Sequence, residues 1–321
     1  MSEKKRLVMT RVLTPDVVAR AGRDYDLVLN EDDHVMTGDE IVARAEGADA
    51  IVGCISEKYD AALIGRLPAS IRILSSFSVG TDHIDLEAAR AKGLRVTNTP
   101  DAVTISTAEI ALLLILGAAH RASEGERMMR ARTWPGWEPT QLLGVRLDRK
   151  RLGILGMGQI GRAVAARARA FDMEIHYHNR NRLPADEEQG ATYHDSAEAL
   201  FAVSDILSLH APSTSQTRGI VNVQTIGQLP ERAIVVNTAR GDLVEDEDLI
   251  AALKSGRVAY AGLDVYQGEP RIHEGYYGLE NTFLLPHMGT STLEARNEMG
   301  FAALDNVDAV FAGREPPYPV V

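Results

Sequence analysis

The stretch Arg151-Leu152-Gly153-Ile154-Leu155-Gly156-Met157-Gly158-Gln159-Ile160-Gly161 decides the fold. A short apolar run ends on Gly156, Gly158 and Gly161, and a helical pattern follows through Phe171. Ala163, Val164, Ala166 and Ala170 give that helix a small-residue face suited to close packing on a sheet. Glu174-Ile175-His176-Tyr177-His178-Asn179-Arg180-Asn181-Arg182 then reads as a second strand and its exit. Strand, glycine turn, helix and strand make one βαβ unit with G-x-G-x-x-G at its bend. The first glycine permits the tight turn, the second lets a pyrophosphate approach the backbone, and the third lets helix meet strand. The helix that opens at Gln159 and Ile160 offers free N–H groups and a positive dipole end to phosphate.

The end of the second strand speaks to which dinucleotide fits. A site for NAD usually carries Asp or Glu there, roughly 20 residues past the glycines, bonded to the ribose 2′-OH. Here the position falls at Asn179, followed by Arg180 and Arg182. A carboxylate would repel a 2′-phosphate, whereas guanidiniums bind one through a planar fork. The expectation is NADP(H), with NADPH preferred and NAD the weaker cofactor.

Composition sets the outer bounds. At 321 residues, two domains of about 150 residues each are expected. A net charge of −11 argues against a general nucleic-acid or membrane-surface binder, so individual arginines carry more information. Cys54 is the one cysteine, which removes any disulfide framework and suggests a reducing, cytoplasmic setting. Lys4, Lys5 and Arg6 precede an apolar stretch that Arg11 and Pro15 interrupt, so no signal peptide is read. Ile110 to Ala119 is apolar but about half the length of a membrane span, and a core helix is expected there.

Strand and helix patterns alternate along the whole chain. Leu7 to Leu13, Leu27 to Leu29, Ala50 to Val52 and Ile71 to Ser75 read as strands. Pro15 opens a helix with Thr14 at its cap, and further helices are expected near Gly38 to Ala45 and Tyr59 to Leu67. A long helix from Thr104 to Ala122 follows the Pro100-Asp101 stop-and-start signal, and a second covers Glu124 to Arg132. Beyond the glycine motif, Ile206 to His210, Ala233 to Asn237, Ala259 to Leu263 and Thr282 to Leu285 read as strands, and Leu293 to Phe311 as a final helix. Such alternation predicts an α/β protein with doubly wound parallel sheets. Thr133 to Pro139 holds both tryptophans, Trp134 and Trp137, among prolines and a glycine, and reads as an exposed arm at an interface or a substrate contact.

Three strand exits carry candidate chemistry. Val235-Val236-Asn237 leads into Thr238-Ala239-Arg240-Gly241, Gly262-Leu263-Asp264-Val265 into Glu269-Pro270, and Leu284-Leu285-Pro286 into His287. Ligands of open α/β sheets sit at such carboxyl ends. Arg240 can grip a carboxylate and a carbonyl oxygen. His287 can give a proton near neutrality, and Glu269 beside it would favour the imidazolium. Together they suit hydride transfer to a 2-oxo acid, with His287 protonating the oxygen and Arg240 stabilising the charge that develops there. No metal is required, and no metal-ligand spacing stands out. The earlier loop Ser76-Phe77-Ser78-Val79-Gly80 also follows a strand, and the amides of Val79 and Gly80 could hold a substrate carboxylate.

These motifs together resemble the D-isomer-specific 2-hydroxyacid dehydrogenases, over nearly the whole chain. Ser78 to Asp85 and Val96-Thr97-Asn98-Thr99-Pro100 also look like that family. The resemblance implies two Rossmann-like domains with the active site in the cleft between them, and a homodimer formed through the nucleotide domain. The substrate domain would take residues 1–100 and 290–321 and the dinucleotide domain residues 101–289. It makes Arg240, Glu269 and His287 catalytic and Val79 and Gly80 the carboxylate-binding amides. Asp264 would contact the nicotinamide carboxamide, and Thr238, Ala239 and Gly289 would join the glycine turn, with Met157, in lining the cofactor. The chain looks most like the NADPH-dependent glyoxylate/hydroxypyruvate reductases. Trp137 resembles a tryptophan that in this subgroup reaches a neighbouring subunit's substrate pocket. Thr290-Ser291-Thr292 departs from the commoner Ser-Ala-Thr, and Thr81-Asp82-His83 varies the usual substrate loop, which leaves the substrate open between small acids and larger ones such as 2-ketogluconate. With no regulatory extension after Val321, the longer serine-feedback phosphoglycerate dehydrogenases are not expected. A corepressor-like dinucleotide sensor is the alternative of another class, which would not need the complete Arg, Glu, His set.

Overall fold

The computed structural model describes residues 4–321. It divides into two compact units, one running up to Val103 and resuming over Thr290–Val321, the other spanning Thr104–Gly289.

The first unit is built on β1 (Arg6–Met9), β2 (Asp26–Leu29), β3 (Ala50–Gly53), β4 (Ile73–Ser76) and β5 (Arg95–Thr97). They pair in parallel in the order β2-β1-β3-β4-β5, a doubly wound arrangement. β3 and β4 are buried along their whole length, so they read as continuous apolar or small-residue runs with no alternation. The helix Gly38–Ala45 starts on a capping box in which Thr37 and Glu40 satisfy each other's amides. Pro15 does open its helix, but Thr14 does not cap it, because its hydroxyl bonds Asn297 Oδ1 at 2.5 Å instead. β5 was not legible as a strand. It is three residues long and runs straight into Asn98-Thr99-Pro100, which carries stronger turn signals. β1 ends at Met9, well short of Leu13, because its pairing with β2 and β3 stops there.

The second unit is a sheet of β6 (Arg151–Leu155), β7 (Glu174–His178), β8 (Thr192–Tyr193), β9 (Ile206–Leu209), β10 (Ala233–Asn237), β11 (Val258–Leu263) and β12 (Thr282–Leu284). Its order is β12-β11-β10-β9-β6-β7-β8 and every pairing is parallel. The order reverses between β6 and β9, which makes that crevice the topological switch point. Both sheets are therefore α/β and Rossmann-like, as the alternation predicts.

The long helix Thr104–Ala119 packs on β10, β11 and the helix Gln159–Arg169. It stops at Ala119 because Arg121 takes a left-handed conformation (φ 55°) and starts the next helix at Ala122. With the 3₁₀ turn before it, Asp101–Ala119 is long and apolar enough to cross a membrane by length and composition alone. Its buried face packs into one hydrophobic core: Ala108, Ala111, Leu114, Ile115 and Ala118 pack with Ile154, Val164 and Ile234.

This packing gives a direct test. Leu114 is 0% exposed and Leu113 beside it is 44% exposed. Leu114→Ala is expected to destabilise the fold by about 2–5 kcal/mol, since it removes buried methyl groups and leaves a cavity. Leu113→Ala is expected to stay within about 0.5 kcal/mol of wild type. Urea denaturation of the two variants at matched concentration checks the difference.

Candidate active site

The glycine turn leaves β6 at the switch point. Gly156 has φ 96°, and a Cβ there would lie 2.5 Å from the Ala211 amide nitrogen, so only glycine allows β6 to approach the exit of β9. Gly161 packs beneath it, within a Cβ's reach of the Gly156 carbonyl. Gly158 is different: a Cβ there would meet nothing within 4 Å. That open side, above a helix that begins at Gln159 with no side-chain cap, is where a pyrophosphate would approach the first-turn amides. Met157 is buried, and its amide donates to Asn179 Oδ1 at 2.6 Å. Asn179 thus ties the end of β7 to the glycine turn. The arrangement fits a dinucleotide on observation of the backbone alone.

Past β7 the two arginines part company. Arg180 is exposed. Arg182 holds Glu188 through two hydrogen bonds, Nε to Oε1 at 2.7 Å and Nη2 to Oε2 at 3.1 Å. Its guanidinium also lies over the Tyr193 ring, 5.6 Å from the centroid. Tyr177 Oη donates to the same Glu188 Oε1 at 2.6 Å and accepts from the Leu183 amide. The Arg182 fork expected to face a 2′-phosphate is therefore engaged. The reason is that the Glu188 side chain is buried and needs a counter-charge. Arg182 first and Tyr177 second hold the Glu188 carboxyl down to about 2.

The three strand exits converge on one relay. After β10, Asn237 staples its own loop: its Oδ1 accepts from the Ala239 amide at 2.9 Å and its Nδ2 donates to the Arg240 carbonyl at 2.8 Å. Gly241 then lies against the Tyr266 backbone so closely that a Cβ would fall 1.9 Å from its carbonyl carbon. This seats the Arg240 loop on the segment that leads to Glu269. Arg240 Nη1 donates to the Ala239 carbonyl at 2.7 Å, which orients the guanidinium.

Glu269 Oε1 accepts from the Tyr266 amide at 2.8 Å, and Oε2 lies 2.7 Å from His287 Nδ1. Burial opposes ionisation of Glu269, but the His287 bond and charge, the Tyr266 amide and the charge of Arg240 outweigh it, and its pKa lies below the ordinary carboxylate value. An ionised Glu269 accepts, so Nδ1 of His287 carries the proton in that bond and Nε2 is the ring nitrogen left for a substrate.

His287 sits in the left-handed region (φ 55°), which for a non-glycine residue costs of order 1–3 kcal/mol. The buried Asp264 carboxylate holds it there: Oδ1 accepts from the Met288 amide at 2.6 Å and Oδ2 from the Gly289 amide at 2.8 Å. Gly289 is fixed from its other side, since its carbonyl accepts from Thr107 Oγ1 at 3.1 Å. Burial raises the Asp264 pKa, against the pull of those amides and of His287.

One residue at this edge was missed from the sequence. His210 follows β9, its Nε2 lies 2.8 Å from Ser208 Oγ, and its Nδ1 lies 3.4 Å from Thr238 Oγ1. Desolvation pushes its pKa down to about 4, so the imidazole is neutral at physiological pH. The available signal was its place: a histidine one residue past a strand that borders the switch point.

In the first unit, the loop after β4 is braced from within. Ser78 Oγ donates to the Gly80 carbonyl at 2.7 Å, Asn98 Nδ2 to the Val79 carbonyl at 2.8 Å, and the Thr99 amide to the Ser78 carbonyl at 2.9 Å. Among the described residues the amides of Val79 and Gly80 have no acceptor. The arm of the second unit leaves Trp134 50% and Trp137 80% exposed. Trp134 Nε1 donates to Gln141 Oε1 at 3.0 Å, so the arm is ordered by its own contacts.

Comparison with known proteins agrees with this geometry. A family model described as "D-isomer specific 2-hydroxyacid dehydrogenase, NAD binding domain" matches residues 112–289. A glycerate dehydrogenase from Hyphomicrobium methylovorum is 50% identical over 317 residues, covering 98% of each chain. A glyoxylate reductase from Thermococcus litoralis is 37% identical over 319 residues, 98% of this chain and 96% of that protein. Among solved structures, an NADPH-dependent glyoxylate/hydroxypyruvate reductase from Sinorhizobium meliloti, in complex with NADP and malonate, superposes with a TM-score of 0.89 at 30% identity, over 99% of this chain and 97% of that one. The chain belongs to the D-isomer specific 2-hydroxyacid dehydrogenase family and is an enzyme of that family.

The Glu188 site gives a prediction with a definite sign. Its folded pKa lies below the ordinary value, so its contribution is present above the glutamate range and is lost as pH falls towards about 2. Glu188→Gln is expected to lower the urea midpoint near pH 7, with the gap to wild type closing as pH is taken down to about 3. A gap that is constant with pH would overturn the assignment.

Proposed function

We propose that this enzyme reduces a small 2-oxo acid, hydroxypyruvate or glyoxylate, to the D-2-hydroxy acid with NADPH. The observation that carries the reading is the 2.7 Å contact of His287 with Glu269, set beside the Arg240 loop at the carboxyl edge of a dinucleotide-type sheet. When bound, the nicotinamide supplies the hydride that reaches the carbonyl carbon. His287 gives the Nε2 proton to the carbonyl oxygen as that oxygen gains charge, and Glu269 keeps the ring oriented through its Nδ1 contact. Arg240 offers its fork to the carboxylate and the developing oxyanion. The free amides of Val79 and Gly80 take the substrate carboxylate. Asp264 positions His287 by holding the two amides that follow it.

The choice among 2-oxo acids rests on the relatives' names. The relative from Hyphomicrobium methylovorum is named for glycerate, the 2-hydroxy acid that reduction of hydroxypyruvate yields, and others are named for glyoxylate. A reductase of larger acids such as 2-ketogluconate is the second reading within the family. For the cofactor, NADPH is supported by Asn179 in place of a carboxylate, by exposed Arg180, and by the NADP bound in the Sinorhizobium meliloti structure. Arg180 is the cation assigned to the 2′-phosphate, with Arg182 held edge-on by Glu188. We also propose a homodimer. The helix Ala122–Ala131 has no buried residue, and Met129, Trp134, Trp137 and Leu143 are exposed along it and the arm that follows. A second copy of the chain would cover that apolar surface.

Initial rates with glyoxylate, hydroxypyruvate, pyruvate and 2-ketogluconate, each with NADPH and NADH, test the reading. NADPH with the two- and three-carbon acids should be fastest, and faster turnover with NADH would remove the 2′-phosphate argument. His287→Asn is expected to lower kcat about 10²–10⁴-fold and Arg240→Ala about 10²–10³-fold, both with an unchanged far-UV spectrum. Arg180→Ala should raise KM for NADPH and leave KM for NADH within error.

A further inference from the structure

Arg296 lies near the start of the helix Leu293–Phe311, in the first unit, and it is in the wrong place for a structural cation. A helix N-terminus repels positive charge. The side chain is partly buried, and burial pulls its pKa below the ordinary guanidinium value. Its guanidinium lies over the Phe77 ring, 5.7 Å from the centroid. Arg11 and Arg20, partly buried in the same unit, each hold a carboxylate: Asp33 at 2.8 Å, and Asp305 and Asp308 at 2.6 and 2.7 Å. Arg296 holds none among the described residues. Cys54, whose charge would act on it, is a thiol that burial pushes far above its usual range, so it supplies no counter-charge. A half-buried cation without an acceptor destabilises a fold, and such a residue persists where a ligand completes it.

Its position says which ligand. Phe77 directly follows β4 and Cys54 directly follows β3, so Arg296 stands at the carboxyl edge of the parallel sheet. Phe77 runs straight into Ser78-Val79-Gly80, whose two open amides suit one carboxylate. Arg296, lying against the Phe77 ring two residues before Val79, is a separate donor within the same strand exit. We propose that Arg296 is a specificity-determining residue that binds the oxygen substituent on the carbon beyond the reacting carbonyl, such as the C3 hydroxyl of hydroxypyruvate. The inference rests on the 2-oxo acid reading above.

The test is Arg296→Met, with Arg296→Lys as the conservative variant. For Met, kcat/KM for hydroxypyruvate should fall about 10- to 100-fold, mostly through KM, while glyoxylate, which lacks the third carbon, stays within about threefold. Lys should recover part of the loss. The melting temperature of the Met variant should equal or exceed wild type, because an unpaired buried charge has been removed. Equal losses on both acids, no loss on either, or a lowered melting temperature with a general loss would overturn the inference. Thermal stabilisation by D-glycerate over glycolate gives a readout free of turnover, and it should vanish in the Met variant. Wild type that reduces neither acid but keeps an Arg296-dependent D-glycerate shift would sink the reductase reading and leave this inference standing.

Discussion

The relay of the second unit hangs from the buried carboxylate of Asp264. Its two oxygens take the amides of Met288 and Gly289, and that grip holds His287 in a left-handed conformation it would not otherwise favour. Without it, the 2.7 Å contact between His287 and Glu269 has no fixed end. Asp264 can do this because it follows β11, one of the buried central strands, and its own amide still bonds the Asn237 carbonyl at 3.0 Å. The same Asn237 staples the Arg240 loop with its side chain. One pair of adjacent strands, β10 and β11, therefore sets the positions of arginine, glutamate and histidine together. A parallel sheet makes this possible, because all of its strands deliver their exits to one edge.

A chain with a net charge of −11 must make its anion sites locally. Its candidate anion sites use backbone amides more than side chains. Among the described residues the amides of the Val79-Gly80 loop have no protein acceptor, and the helix after Gly158 starts with no side-chain cap. Guanidiniums are used more selectively. Arg151 and Arg182 are tied to Asp205 and Glu188, where they satisfy carboxylates that the fold has partly or wholly buried. Among the described residues Arg180 and Arg296 have no such tie, and that difference, more than exposure, separates the functional candidates from the structural ones. The Arg182 pairing shows why a cluster of arginines in a sequence overstates the charge on offer: a buried acid six residues on is invisible until the chain turns back on itself.

The regular elements were legible because their signals are local. The glycine turn, the apolar runs of β6, β10 and β11, and the helix Leu293–Phe311 all state their structure through spacing and composition. The short pieces were not: β5 and β8 have three and two residues, too few to show a period. Arg240, Glu269 and His287 could be picked out because each follows a readable strand. His210 follows one too, yet nothing local separates it from a loop histidine, and its neutrality comes only from desolvation at the switch point.

What the sequence determined by itself was the α/β class, the parallel sheets and the set of residues at their carboxyl edges, because hydrophobic period and turn chemistry act over a few neighbours. Tertiary structure alone decided how those residues are used. It set the closeness of Gly241 to Tyr266, turned Asp264 from a strand-end acid into the clamp on His287, and assigned Arg182 to Glu188. It also left Arg296 against Phe77, with no acid among the described residues to meet it. Each of these depends on which groups lose their water and which partners reach them when they do, and neither can be known before distant segments of the chain are packed together.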